Sequence, residues 1–193
     1  MPSLTDFKNS FKGDLARQNR FNVLIPVPPK VVSSTSVDTF AARQLAFRCE
    51  NAQLPGRTLA TTEQKTYGPI QKLPYLTTYN DIDLTLIVES AMSEKKIFDS
   101  WLEIINPTQT NDFSYRKDYD TILTINQYNT LDDLTYSVQL FEAYPISINQ
   151  LDLDWSSDGF HKLLVTFAYT YWRSSSQKDF TSPASLQRTL TGI

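Results

Sequence analysis

The chain has a single histidine, His161, placed just after the turn signal Asp158-Gly159. A Ser-His-Asp triad would have to use it as the general base. Serines and aspartates are abundant, so partners can always be found on paper, but no Gly-x-Ser-x-Gly elbow exists. A lone histidine beside a turn reads as a surface residue. The single cysteine, Cys49, excludes an intramolecular disulfide and a multi-cysteine metal site. With one His and one Cys, zinc would need unusual carboxylate ligands. Cys49 ends the strand-like run Leu45-Ala46-Phe47-Arg48-Cys49 and reads as a small buried hydrophobe, with a reactive thiol as the alternative.

Asp152, Asp154 and Asp158 form the densest acidic cluster. A calcium loop of the EF-hand type needs oxygen ligands at fixed spacing, a central Gly and a closing Glu. Here Trp155 and Phe160 interrupt the pattern and the closing Glu is missing, so a solvated strand end explains the aspartates better. Asp118, Asp120, Asp132 and Asp133 stand in apparent loops. A carboxylate pair for glycoside hydrolysis remains open there, while solvation accounts for them without catalysis. No Gly-rich phosphate loop is present. Tyr75, Tyr79, Tyr169 and Tyr171 are candidates for a sugar- or base-stacking platform, but alternation within strands fits core or interface filling. The expectation is therefore no catalytic, cofactor-binding or metal-binding residue.

At 193 residues the chain suits one domain with a proper core. Its 18 Lys and Arg against 21 Asp and Glu give a net charge of −3. Without a basic run beyond Lys95-Lys96 it has no grip for duplex phosphates. No stretch approaches the roughly 18 apolar residues of a membrane span, so no membrane insertion is expected. Met1-Pro2-Ser3-Leu4-Thr5-Asp6 lacks the apolar region of a signal peptide, and a reducing, cytoplasmic-type compartment is expected.

The elements that must position these residues are mostly strands. Glycine is scarce, and Thr, Tyr, Ile and Leu recur at alternate positions. Residues 20–25 predict a strand with Phe21, Val23 and Ile25 on one face, stopped by Pro26-Val27-Pro28-Pro29. Residues 30–42 read as a loop or short excursion. Residues 44–50 predict a second strand, ended by Leu54-Pro55-Gly56. Residues 57–72 are polar and Thr-rich, an extended hairpin or a loop. Ile82, Leu84, Leu86 and Val88 alternate with mainly polar residues, the pattern of a half-solvated antiparallel strand. The one helix, 93–105, is expected to use Ser93 as its cap and Glu94 at the positive dipole end. Ile97, Phe98, Trp101, Leu102 and Ile105 form its apolar stripe. Strands are expected at 121–128 and 135–143, the second broken by Tyr144-Pro145, and a long last strand at 163–172, covered on both faces. The tail from 173 on is rich in Ser, Thr and Gln; Leu186, Leu190 and Ile193 are its candidates for docking on a neighbour.

Five colinear blocks, spanning about residues 11–172, together resemble the tail tube proteins of contractile-tailed bacteriophages. Gly13-Asp14-Leu15-Ala16-Arg17-Gln18-Asn19-Arg20-Phe21 is similar to that family's opening. Ala52-Gln53-Leu54-Pro55-Gly56 resembles its strand ending in Ala-x-Leu-Pro. Tyr79-Asn80-Asp81-Ile82-Asp83-Leu84 and the helix carrying Phe98-Asp99-Ser100-Trp101 follow in order. Tyr144-Pro145-Ile146, Leu151-Asp152-Leu153-Asp154-Trp155 and Phe167-Ala168-Tyr169-Thr170-Tyr171-Trp172 resemble its C-terminal hairpin, where Trp-Pro commonly replaces Tyr144-Pro145. The segment 26–42 and the tail after Trp172 depart from the pattern. They leave room for a baseplate tube-initiator or a tube-terminator of the same fold.

The resemblance implies a mainly β fold, an antiparallel β-barrel or sandwich with one helix, assembling into a hexameric ring. It divides the chain into an N-terminal arm (1–19), a tail-tube β domain (20–172) and a C-terminal extension (173–193). It implies a structural virion protein without enzymatic activity or cofactors. Rings would stack into a hollow conduit for DNA ejection inside a contractile sheath. The implied partners are further copies, the sheath protein, baseplate and tail-terminator proteins, and, in the lumen, the tape-measure protein and DNA. A contractile injection-system tube is a near alternative, and a carbohydrate-binding β-sandwich a distant one.

Overall fold

The fold comes from a computed structural model, which describes residues 3–10, 15–34, 44–65, 67–156 and 158–174. A short helix, α1 (Leu4–Ser10), opens the chain. Ser3 and Asp6 cap it reciprocally: Ser3 N and Oγ donate to the Asp6 carboxylate at 2.9 and 3.0 Å, and Asp6 N donates to Ser3 Oγ at 3.2 Å. Then follow β1 (Phe21–Leu24), α2 (Pro29–Ser34), a 3-10 turn at Leu45–Phe47, and β2 (Cys49–Ala52). Strands β3 (Thr58–Gln64) and β4 (Gln71–Thr78) form a hairpin, and β5 (Ile82–Ile87) leads into α3 (Ser93–Ile105). The chain continues through β6 (Thr121–Tyr128), β7 (Leu134–Ile148), β8 (Lys162–Ala168) and β9 (Tyr171–Ser174).

Seven strands run in the order β1-β6-β7-β8-β5-β2, with β9 also paired to β7, all neighbours antiparallel. The length of β7 makes this possible. Its first part pairs with β6 and β9, and its last part, from Tyr144, pairs with β8. Glu142, at φ 56°, supplies the bend between the two parts. Thr170 Oγ1 donates to the Glu142 carboxylate at 2.6 Å, and Arg116 donates to Thr170 Oγ1 at 2.6 Å, which fastens the bend. The break expected at Tyr144-Pro145 does not occur. Pro145 sits beside a register irregularity, where the missing N–H is tolerated.

Alternation puts Ile82, Leu84 and Leu86 of β5, Leu123 and Ile125 of β6, and Leu163, Val165 and Phe167 of β8 in one core. Helix α3 closes it with Ile97, Phe98 and Trp101. Phe98 and Trp101 stack at 6.1 Å, and Phe167 meets both edge-on at the same centroid distance. Trp101 Nε1 donates to the Tyr119 carbonyl at 2.8 Å, so the indole enters the core with its polar atom satisfied.

Four local expectations are corrected. The segment after Pro28 begins with a helix, α2, because Pro29 suits a first helical turn; residues 35–43 lie outside the described residues. The strand expected at 44–50 is a 3-10 turn followed by β2, two to five residues later. Helix α3 is not capped by Ser93, which is its first helical residue; Met92 precedes it at φ 56°, with no side-chain cap. The last strand splits at Tyr169-Thr170 because β8 and β9 join different parts of β7, and the outer face of β8 leaves Leu164 exposed.

Candidate functional site

The residues singled out for chemistry are not gathered. Among the described residues, no group of three or more His, Cys, Asp or Glu is arranged to hold a metal ion. His161 is half-buried at the start of β8, where its carbonyl accepts from Val88 N at 3.1 Å. Asp152, Asp154 and His161 line one surface groove, but Asp154 is spent locally: it accepts from Ser156 N at 3.0 Å and Ser156 Oγ at 2.7 Å. Those bonds hold its carboxyl below the usual range. Asp118 pairs with Lys30 and Asp132 with Arg20, both at 2.7 Å. Asp133 accepts from Asn129 Nδ2 at 3.1 Å, and Asp120 N bonds Arg116 O at 3.0 Å. Cys49 packs against the core, and burial pushes its thiol up to about 11, so it is protonated near neutrality.

The tyrosines do not form one platform. Tyr75 is exposed on β4. Tyr79 and Tyr169 lie together 6.1 Å apart, and Tyr171 stacks on Phe141 at 4.8 Å with Arg173 over both rings.

What the described residues present is exposed apolar surface and open strand edges. Among the described residues the β3–β4 hairpin is paired only with itself in the strand pattern. Leu59, Ile70, Leu73, Tyr75 and Leu76 are exposed on it, and Tyr67 at its turn is fully exposed. An isolated two-stranded hairpin is marginally stable in water. Its base is nevertheless fastened to the body: Trp172 Nε1 donates to Gly56 O at 3.1 Å, and Asp83 N donates to Gln53 Oε1 at 3.4 Å.

A second opening lies where the two ends of the sheet path, β1 and β2, come back toward each other without pairing. The gap is a cavity of about 650 Å³, lined by Asn19, Phe21, Glu50, Ala52, Ile125 and Gln127 among others. Each of these strands keeps one edge without a strand partner among the described residues. Open edges invite pairing with another chain.

The sequence matches the phage tail tube protein family over residues 16–175. This chain belongs to the phage tail tube protein family. No curated protein sequence matches it. Its fold is similar to that of a chain in the sheath/tube terminator of PVC, an extracellular contractile injection system, in the extended state. That TM-score is 0.59 at 16% identity, covering 86% of this chain and 100% of the other. A chain of the anti-feeding prophage baseplate gives 0.57 at 20% identity, covering 84% and 96%. A chain of that prophage's tube-terminating cap gives 0.58 at 16%, covering 86% and 95%. At these identities the likeness establishes the fold. The family expected from the sequence, and the mainly β architecture with it, are therefore confirmed. The hairpin is the feature that residue-level reasoning left half-resolved. Its few apolar residues, among them Leu59, Leu73, Tyr75 and Leu76, stand among Thr, Lys, Gln and Pro without a sustained period, so nothing in its composition distinguished an assembly element from a polar loop.

Proposed function

We propose that this chain is a structural subunit of a tail tube: six copies form a ring, rings stack into a hollow conduit, and a contractile sheath surrounds it. The observation that carries this is the β3–β4 hairpin, paired with no other strand among the described residues and exposing Leu59 on β3 and Leu73, Tyr75 and Leu76 on β4. Membership of the tail tube family and the two open sheet edges support the same reading. Closure of sheets between copies removes edges that a monomer leaves free. In this reading the hairpin contacts the next ring, the arm 1–19 lies over a neighbouring copy, and α3 faces the sheath. Arg173 and Ser174, at the start of the extension 173–193, belong to β9; its Leu186, Leu190 and Ile193, which lie outside the described residues, dock on a neighbour. Baseplate and terminator proteins meet the tube ends, and the tape-measure protein and DNA occupy the lumen. A net charge of −3 suits a lumen that must not hold phosphates.

A chain lacking residues 57–72 is expected to stay soluble and monomeric and to make no tubes under negative-stain electron microscopy. Normal tubes from that variant would overturn the proposal. A tube-initiating or tube-terminating ring is the second reading, supported by the likeness to baseplate and cap chains. Six-fold rings that never lengthen, in place of long tubes, would select it.

A further inference from the structure

The connection between β7 and β8 carries a second group of uncovered apolar side chains. Trp155 is fully exposed, and Leu153 and Phe160 are largely exposed. They are held there by polar bonds. Asn149 clamps the start of the connection, its N donating to Leu164 O at 3.0 Å and its Oδ1 accepting from Leu164 N at 2.8 Å. Asp154 then closes a turn on Ser156, which leaves Trp155 at the tip. Beside it is a groove of about 370 Å³ between Leu153 and Phe160, with His161 in its wall and Asp152 and Asp154 at its border. Exposed apolar groups of this size, ringed by polar ones, mark interaction surfaces.

Its place in the fold points to the occupant. Strand β5 pairs Ile87 with Lys162 at one end and Ile82 with Phe167 at the other. The Trp155 connection leaves from the Ile87 end, beside Lys162. The hairpin leaves from the Ile82 end, where β2 finishes at Ala52 and β4 at Thr78. The two projections therefore stand at opposite ends of the same sheet, five residue steps apart, or about 17 Å along β5. They are also complementary in charge. The hairpin strand ends and turn hold Arg57, Lys65 and Lys72 against Glu63, whereas the connection holds Asp152, Asp154 and Asp158 with no Lys or Arg. Both add exposed aromatic and aliphatic groups: Tyr67, Leu73 and Tyr75 on one, Leu153, Trp155 and Phe160 on the other.

We infer that the Leu153–Trp155–Phe160 surface is the acceptor for the β3–β4 hairpin of a second copy of this chain. The inference rests on the stacked-ring reading and gives it a partner surface. A contact between opposite ends of identical chains is head-to-tail and does not close on itself, so it propagates along an axis. Lys65 and Lys72 meet Asp152 and Asp158 at the rim, while Tyr75 or Leu73 enters the groove beside Trp155.

The test places a photo-crosslinking benzoylphenylalanine at Trp155, and separately at Tyr75, in the full chain. Crosslinks from position 155 to residues 57–78 of another copy are expected; crosslinks to another surface, or to no copy, would overturn the acceptor. Crosslinks from position 75 to any part of another copy would keep the hairpin reading even then, whereas none would remove that reading as well. A charge exchange supplies the second arm. Asp152→Lys with Asp158→Lys, which spare the Asp154 turn, and Lys65→Glu with Lys72→Glu, are each expected to lower pelletable tube about tenfold or more, because like charges then face each other. All four together are expected to restore it. Folded chains carrying all four changes that still fail to pellet would overturn the pairing.

Discussion

The guanidinium of Arg48 is ion-paired with the carboxylate of Glu94, a side chain only 1% exposed at the start of α3. Glu94 also accepts from Glu89 N at 3.1 Å, and Arg48 reaches Glu89 at 2.7 Å and Gln44 Oε1 at 2.6 Å. The pair thus ties the 3-10 turn before β2 to the first turn of the helix that closes the core. The Glu94 carboxylate occupies the positive helix end and there meets a cation from another element.

Removing Arg48 strands the buried Glu94 carboxylate, whereas Arg48 without Glu94 keeps Glu89. Arg48→Met is expected to lower unfolding free energy by about 3–5 kcal/mol, read from urea denaturation. Arg48→Met combined with Glu94→Leu is expected to recover most of that loss, since no charge is then buried alone. An Arg48→Met loss of under about 1 kcal/mol, the scale of an exposed pair, would refute the tie.

The Trp101 indole unites the aromatic core with the segment before β6. Trp101→Phe keeps a ring beside Phe98 and Phe167 but strands the Tyr119 carbonyl, so a loss of about 1–3 kcal/mol is expected. Calorimetry of the two proteins measures it. An unchanged Tm would mean that water replaces the bond without loss.

Tyr169 has a buried hydroxyl without a hydrogen-bond partner among the described residues. Burial, then the neighbouring Asp81 and Tyr79, push its phenol up to about 12 from 10. The folded state therefore keeps this proton to higher pH than the unfolded chain does. Its contribution is intact below pH 10 and is lost as pH rises from 10 toward 12. Tyr169→Phe is expected to leave stability at pH 7 unchanged or slightly higher, and to flatten the fall above pH 10. Denaturation midpoints at pH 7, 10 and 11 check both parts. A Tyr169→Phe chain less stable at pH 7 would show that the hydroxyl makes a bond.

The Cys49 thiol, raised to about 11 by burial, is expected to react slowly with a disulfide reagent at pH 7 in the folded protein. Unfolding in urea should accelerate it by an order of magnitude or more. Equal rates in both states would mean that the thiol is open to solvent.

The parts legible in the sequence are those set by local period. Ile97, Phe98 and Trp101 lie on one helical stripe, and α3 runs from Ser93 to Ile105 as expected. The strand at 121–128 likewise has its expected bounds. What the sequence hid is decided by tertiary partners. The bend at Glu142 is fastened by Arg116 and Thr170, 26 and 28 residues away. The split of β8 from β9 exists because each joins a different part of β7. The cap of α3 escaped because Met92 adopts a positive φ that its side chain does not advertise. The hairpin was obscure for a different reason: its Leu and Tyr residues are left exposed by the described residues and keep no strict period, so its pattern carries no sign of a core.

Trp172 offers the means of loosening that hairpin without changing its exposed residues. The indole packs against the core and donates to Gly56 O, two residues before β3 begins. The Trp172→Phe variant loses the donor while keeping an aromatic ring at the sheet. Hydrogen exchange is expected to rise across residues 58–78, where the only strand pairing among the described residues is internal to the hairpin. Amides of β5, β6 and β8 should keep their protection, because their ladders lie in the seven-stranded sheet. If the hairpin positions its apolar residues for another copy, the same variant assembles more slowly while its surface chemistry is unaltered. Faster exchange with unchanged assembly would show that the hairpin docks as a flexible element; unchanged exchange would show that Gly56 needs no anchor.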